Sequence, residues 1–369
     1  MGASTGSLGA ATRQRHQAFT SRTKLSTFAD RKGVRRFLVG AVFTLLIAIA
    51  LGLLVGPTGI SPMAIIRNIA IHLGLQKGRI DPLENTILWQ IRAPRLVLGV
   101  LVGSMLSVAG ATYQGIFRNP LADPYVLGAA SGAGLGATVA LLGLGGIVGA
   151  NVNLISPFAF VGALVAVFAT WFVGGRGSRS NGATLILSGV SVATLLTSAQ
   201  TLLQQHASAT SLAHVYIWLL GSLASASWST VEGLTTYVLV CVAICMLVAR
   251  QLDVMSVGEV EARTLGLNVR RLRIISLGAA SLGTAAVVSA VGLIGFVGLV
   301  VPHIVRMAVG TSYRRILPLS ALVGASFLVF ADTLARTVLS PSELPIGVIT
   351  ALVGAPIFVV VLRNREVWL

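Results

Sequence analysis

Ten stretches of this chain are apolar over roughly the length needed to cross a bilayer, about 20 residues of helix. They run at about 37–56, 96–116, 125–147, 153–174, 184–205, 234–249, 273–291, 294–309, 316–338 and 344–362. A chain so patterned is expected to be an all-α polytopic membrane protein with about ten transmembrane helices. Composition agrees: 55% of residues are apolar and 10% charged, where a soluble domain carries about 25% charged residues. The 41 glycines fit the same reading, because small residues let transmembrane helices approach closely.

The formal charge of +16 raises a nucleic-acid hypothesis that the distribution removes. Basic residues fall in short clusters between apolar runs, as membrane topology requires. Residues 1–36 form a basic tail, expected to be disordered and cytosolic, near anionic lipid headgroups. No cleavable signal peptide is expected, since the first apolar run is long enough to span. With that tail inside, most remaining arginines fall on inner segments, which predicts ten spans with both termini cytosolic. The first outer loop is the exception, with Arg67, Lys77, Arg79, Arg92 and Arg95. Cys241 and Cys245 read as packing residues, and no metal-ligand or disulfide spacing occurs. The stretch from Gln204 to Glu232 is too polar to span and reads as a short outer helix anchored by Trp218 and Trp228.

Four constellations carry chemistry. In Trp89-Gln90-Ile91-Arg92-Ala93-Pro94-Arg95, two guanidiniums stand at the outer mouth of the second span, and Arg336 lies towards the outer end of the ninth. Three fixed guanidiniums suit carboxylates, which they pair bidentately; lipid contact for Arg92 and Arg95, or an intrahelical pair of Asp332 with Arg336, is the plainer alternative. Arg118-Asn119-Pro120-Leu121-Ala122-Asp123-Pro124 reads as a stiff inner turn. Residues 252–267 read as a cytosolic segment holding a short helix. There Ser256 caps with Glu259 in a capping box, Ala262 and Leu265 share an apolar face, and Gly266 ends the helix. Such a helix suits a groove on a partner. Finally, Gly298-Leu-Val-Val-Pro302-His303-Ile-Val-Arg306 reads as a span leaving the bilayer onto a docked protein. No phosphate-binding loop occurs. Asp332 is the only acid inside an expected span, against the buried ionisable groups that a proton- or sodium-coupled carrier uses. Energy is then expected from a separate subunit.

These residues resemble the permease subunits of the vitamin B12 and iron-siderophore importer family, the FecCD-type transmembrane subunits of type II ABC importers. The resemblance rests on WQIRAPR at 89–95, the Gly103 to Gly110 spacing, and Gln114 with RNPLADP at 118–124. It continues through SGV at 188–190, WLLGS at 218–222, VGEVEARTLGL at 257–267, GLIGFVGLVVPHIVR at 292–306 and ELPIGVITALVGAPIF at 343–358. It covers residue 37 to the end, so the domain organisation is a tail, 1–36, and a permease domain, 37–369.

The resemblance implies a homodimeric or pseudo-homodimeric permease in the cytoplasmic membrane of a bacterium. It implies a cytosolic ATPase dimer that binds ATP and Mg, and an extracytoplasmic substrate-binding protein; this subunit is expected to be no enzyme and to hold no cofactor or metal. Carried over by position, Arg92, Arg95 and Arg336 receive acidic residues of that binding protein. Ser256, Gly258, Glu259, Ala262, Leu265 and Gly266 form the coupling segment that seats on the ATPase. Leu121, Asn181, Gly182 and Ala183 narrow the cytosolic exit, although B12 importers carry a Thr-Ser pair where this chain reads Asn-Gly-Ala. Arg118, Asn119, Pro120, Pro302, His303 and Arg306 are structural motif residues. The implied cargo is an iron-siderophore complex, with haem and cobalamin as alternatives; His206 and His214 are read as interfacial packing rather than haem ligands. A secondary transporter or a membrane scaffold is the reading from another class.

Overall fold

The computed structural model describes residues 31–56, 60–143, 154–175 and 182–363. Among them the chain is helical: α1 (Arg31–Leu54), α2 (Pro62–His72), α3 (Pro82–Thr86), a π-helical segment (Ile87–Arg92), α4 (Ala93–Phe117), α5 (Ala129–Leu142), α6 (Ile155–Gly174), α7 (Gly182–Gln204), α8 (Ala209–Leu219), α9 (Trp228–Leu247), α10 (Ala249–Met255), α11 (Glu259–Thr264), α12 (Val269–Val291), α13 (Val297–Val309), α14 (Tyr313–Thr337) and α15 (Ile346–Arg363).

Each of the ten apolar runs coincides with a helix. Seven helices are long and apolar enough to cross a membrane, counting Pro82–Phe117 as one. Three are shorter: α5, α13 and the apolar part of α15, Ile346–Val360. At about 1.5 Å per residue, the 14 residues of α5 fall well short of a roughly 30 Å core. The run at 294–309 yields only the 13 residues of α13, because Gly292 and Phe296 hold positive φ (75° and 67°) and break the chain there. The short helix expected between Gln204 and Glu232 is α8, N-capped by Ser208. Trp228 opens α9, and its indole donates to the Trp89 carbonyl at 2.7 Å.

The most extensive packing joins α5 to α6 and α4 to α14, and glycines set both distances. A Cβ on Gly103 would fall on the Gly324 backbone, and a Cβ on Gly324 on Gly103 and Ser107. Gly132 and Gly162 meet in the same way. Backbones this close gain dispersion contacts that lipid cannot replace. Around α4, twenty of whose residues are buried, the core gathers α12, α13 and α14. Cys241 and Cys245 are buried and free within it.

Candidate functional site

Two polar regions lie at opposite ends of α14, whose 25 residues extend about 37 Å at helical rise. The first gathers Arg92, Arg95 and Arg336. All three are buried, so the guanidiniums are not presented on an outer surface. The π-helical turn at Ile87–Arg92 widens the backbone just before α4, and Arg92 donates to the Leu53 carbonyl. Gly56 leaves room for it: a Cβ there would meet the guanidinium at 2.7 Å. Arg336 donates to the Gly52 carbonyl at 3.1 Å. Both arginines therefore satisfy last-turn carbonyls of α1, the negative end of its dipole.

Arg95 is saturated by acids. Its Nε and Nη2 donate to Asp332 at 3.0 and 2.9 Å, while Nη1 and Nη2 donate to Glu343 at 3.0 and 2.9 Å. Asp332 also pairs with Arg336 at 3.1 Å, so the intrahelical pair exists within a larger cluster. Glu343 opens the ELPIGVITALVGAPIF motif, but nothing local marks it as the partner of Arg95, 248 positions away.

At the other end, α10 and α11 carry the expected coupling segment. Ser256 does not cap α11: its hydroxyl donates to the Asp253 carbonyl at 2.7 Å, and Gly258 is the N-cap residue. Gly258 has φ 155°, and a Cβ there would collide with the Glu261 carboxylate. Glu259 instead pairs with Arg263 at 2.7 Å and with buried Arg273 of α12 at 3.1 Å, which fixes α11 on α12. Ala262 and Leu265 do not share a face: Ala262 is 0% exposed and Leu265 69%. Val257, Val260 and Leu265 are the apolar groups left outward. Gly266, at φ 82°, ends α11 as expected. Asp253 accepts the Ser312 hydroxyl at 3.0 Å and the Tyr313 amide, capping α14 from α10.

Pro302 lies inside α13, not at the end of a span. Lacking an N–H, it leaves the Gly298 carbonyl without its usual helical donor. The Gln114 amide fills that place, donating to Gly298 and Leu299 at 3.4 and 3.3 Å. Arg306 donates to Gln114 Oε1 and to the Tyr313 hydroxyl, each at 3.2 Å, and His303 is buried. In the Arg118–Pro124 turn, Arg118 is left-handed at φ 49° and ends α4. Asn119 accepts the Leu121 amide and Asp123 the Tyr125 amide, at 2.9 and 2.8 Å, so Pro120 and Pro124 each sit inside an Asx turn. Burial pushes the Asp123 carboxyl up to about 6, against the Tyr125 amide bond that favours its charged form.

Leu121 is exposed and lines a groove of about 780 Å³ with Asp123, Tyr125, Val190, Thr194 and Ser198. Gly182 and Ala183 begin α7, with Gly182 over Phe117; Asn181 lies outside the described residues. Along α7, Ser191, Thr194, Ser198 and Thr201 are exposed on one stripe. Ser191, Thr194 and Thr201 return their hydroxyl hydrogens to carbonyls of their own helix. Among the described residues, no group of three or more His, Cys, Asp or Glu could hold a metal.

The model of the FecCD transport family matches residues 44–364. The chain is 44% identical to the cobalamin import system permease protein BtuC of Halobacterium salinarum, over 81% of this chain and 79% of that one. It is 40% identical to the hemin transport system permease protein HmuU of Yersinia pestis, over 76% and 86%. It is 34% identical to the Fe(3+)-citrate import system permease protein YfmE of Bacillus subtilis, over 92% and 98%. Among solved structures, a metal-chelate type ABC transporter in an inward-facing conformation superposes with a TM-score of 0.77 at 29% identity, covering 89% of this chain and 99% of that one.

Proposed function

This chain belongs to the FecCD transport family and is a multi-pass permease subunit of an ABC importer; we propose that it moves an iron-siderophore chelate across the cytoplasmic membrane by alternating access. The observation that carries the reading is the groove along α7. Its wall mixes aliphatic groups with hydroxyls, of which those of Thr194 and Thr201 are bonded to their own backbone. Its one carboxylate among the described residues is Asp123, which already accepts the Tyr125 amide. Such a wall offers a bulky chelate many weak contacts and no deep trap. A second permease subunit would close the open side and double the passage.

In this reading a cytosolic ATPase dimer binds ATP and Mg and seats on Val257, Val260 and Leu265. ATP-driven closure of that dimer moves α11, and through Glu259 and Arg273 the motion enters α12. Asp253 passes it to α14. Leu121, with the start of α7 at Gly182 and Ala183, narrows the exit. An extracytoplasmic binding protein delivers cargo at the end that holds Arg92, Arg95 and Arg336.

A tetrapyrrole cargo, cobalamin or haem, is the second reading. It is favoured by the 44% and 40% identities to permeases named for cobalamin and hemin. Proteoliposomes holding the permease and its ATPase, offered ferric siderophores, haem and cobalamin with the binding protein, separate the two. Accumulation of the ferric siderophore, with haem and cobalamin left outside, supports the first reading; selective accumulation of a tetrapyrrole replaces it.

A further inference from the structure

We infer that Glu343 is a built-in competitor for the arginine cluster, occupying the place on Arg95 that a carboxylate of an extracytoplasmic protein takes on docking. The inference deepens the docking reading of that end and rests on it. Among the described residues, the buried Arg95 and Arg336 face two carboxylates, Asp332 and Glu343. Buried charge is costly unless matched, so a carboxylate that leaves Arg95 is favourably replaced by another.

The two acids differ in access. The Asp332 side chain is 2% exposed and holds both Arg95 and Arg336. The Glu343 side chain is 33% exposed and holds only Arg95, across the Nη1–Nη2 edge. A guanidinium edge binds one carboxylate in bidentate fashion. An incoming carboxylate can therefore reach Arg95 only by replacing a resident one, and Glu343 is the resident beside solvent. The exchange keeps two charge-assisted bonds on each side, so its direction depends on the rest of the docking surface.

Release of Glu343 has somewhere to act. It sits in the connection between α14 and α15, where the Leu344 amide bonds to the Ala335 carbonyl at 2.9 Å. The next amides, Ile346 and Gly347, bond to the Gly221 and Leu220 carbonyls at 3.2 and 3.1 Å. Freeing the carboxylate thus loosens the segment that seats the start of α15 against the end of α8.

Removing the competitor should tighten binding of an acidic partner, the opposite of what a purely structural acid would do. The exposed cations Arg67, Lys77 and Arg79 would also attract an acidic probe, so the test is run in an R67Q/K77Q/R79Q background. Full-length permease in nanodiscs is titrated with hexaglutamate, and Glu343→Gln is compared with Glu343→Asp and the parent. The expected result is at least a threefold lower Kd for Glu343→Gln, with Glu343→Asp at parental affinity. Hydrogen exchange at 340–347 should rise in Glu343→Gln and, on adding hexaglutamate, in the parent. Equal or weaker binding by Glu343→Gln, in a variant whose thermal midpoint stays within a few degrees, overturns the proposal. So does a gain seen only when the three surface cations are present. Chelate uptake is scored separately: if it stays ATP-dependent while Glu343→Gln fails to tighten binding, this inference fails and the importer reading stands.

Discussion

At one end of α14, three guanidiniums, two carboxylates and two helix carbonyls close on one another below the surface. At the other end of the same helix, Asp253 caps the first turn while Val257, Val260 and Leu265 of the adjoining segment face outward. Polar groups at the arginine end find partners within the chain, and apolar groups at the coupling end find none. The first arrangement holds the fold together; the second leaves contacts unmade until another protein supplies them. A partner at the arginine end must exchange with what is already bound there, whereas a partner at the coupling end adds to bare surface.

The sharpest way to break this contrast is Asp332→Ala. It strands two buried guanidiniums and should cost about 3–5 kcal/mol, read as a lower thermal midpoint in detergent or as loss of the folded protein. The paired change Val260→Asp with Leu265→Asp, at residues 71% and 69% exposed, should move stability by no more than about 0.5 kcal/mol. Its effect belongs to assembly: affinity for the ATPase should fall roughly tenfold or more, as when interface anchors are removed. If that pair unfolds the permease, or the Asp332 variant stays stable, the two ends do not differ as described.

Between these extremes lies Glu259→Gln, which keeps α11 but weakens its tie to buried Arg273. A loss of about 1–2 kcal/mol is expected, with ATPase stimulation by cargo reduced before complex formation is. The smallest effect concerns pH. The Asp123 carboxyl stands at about 6, above the ordinary value near 3.9, so the folded state holds its proton more tightly than the unfolded chain. The penalty for its charge is present above pH 6 and fades as pH falls through 6 towards 4. The wild type should gain about 1 kcal/mol of stability between pH 7 and pH 5, and Asp123→Asn should lack that gain.

The spans were legible because hydrocarbon burial is written in local composition, and each apolar run became a helix. The arginine cluster was legible only in part. Asp332 and Arg336 are four apart on a helix and announce themselves, but Arg95 and Glu343 meet only after α4 packs on α14 through Gly103 and Gly324. The capping box at Ser256 failed because Gly258, in a backbone conformation that side chains rarely adopt, takes the cap position. The proline in α13 carried a usable signal that went unread. Its missing N–H means that the Gly298 carbonyl needs an outside donor, and Gln114, from a separate family motif, is that donor.

The most direct test follows chelate uptake into proteoliposomes holding the permease and its ATPase, offered the chelate with the binding protein, with and without ATP, for the wild type and the Val260→Asp, Leu265→Asp pair. The account predicts ATP-dependent accumulation by the wild type and none by the variant, although the variant inserts and melts like the parent. Accumulation without ATP, or undiminished uptake by the variant, would contradict it.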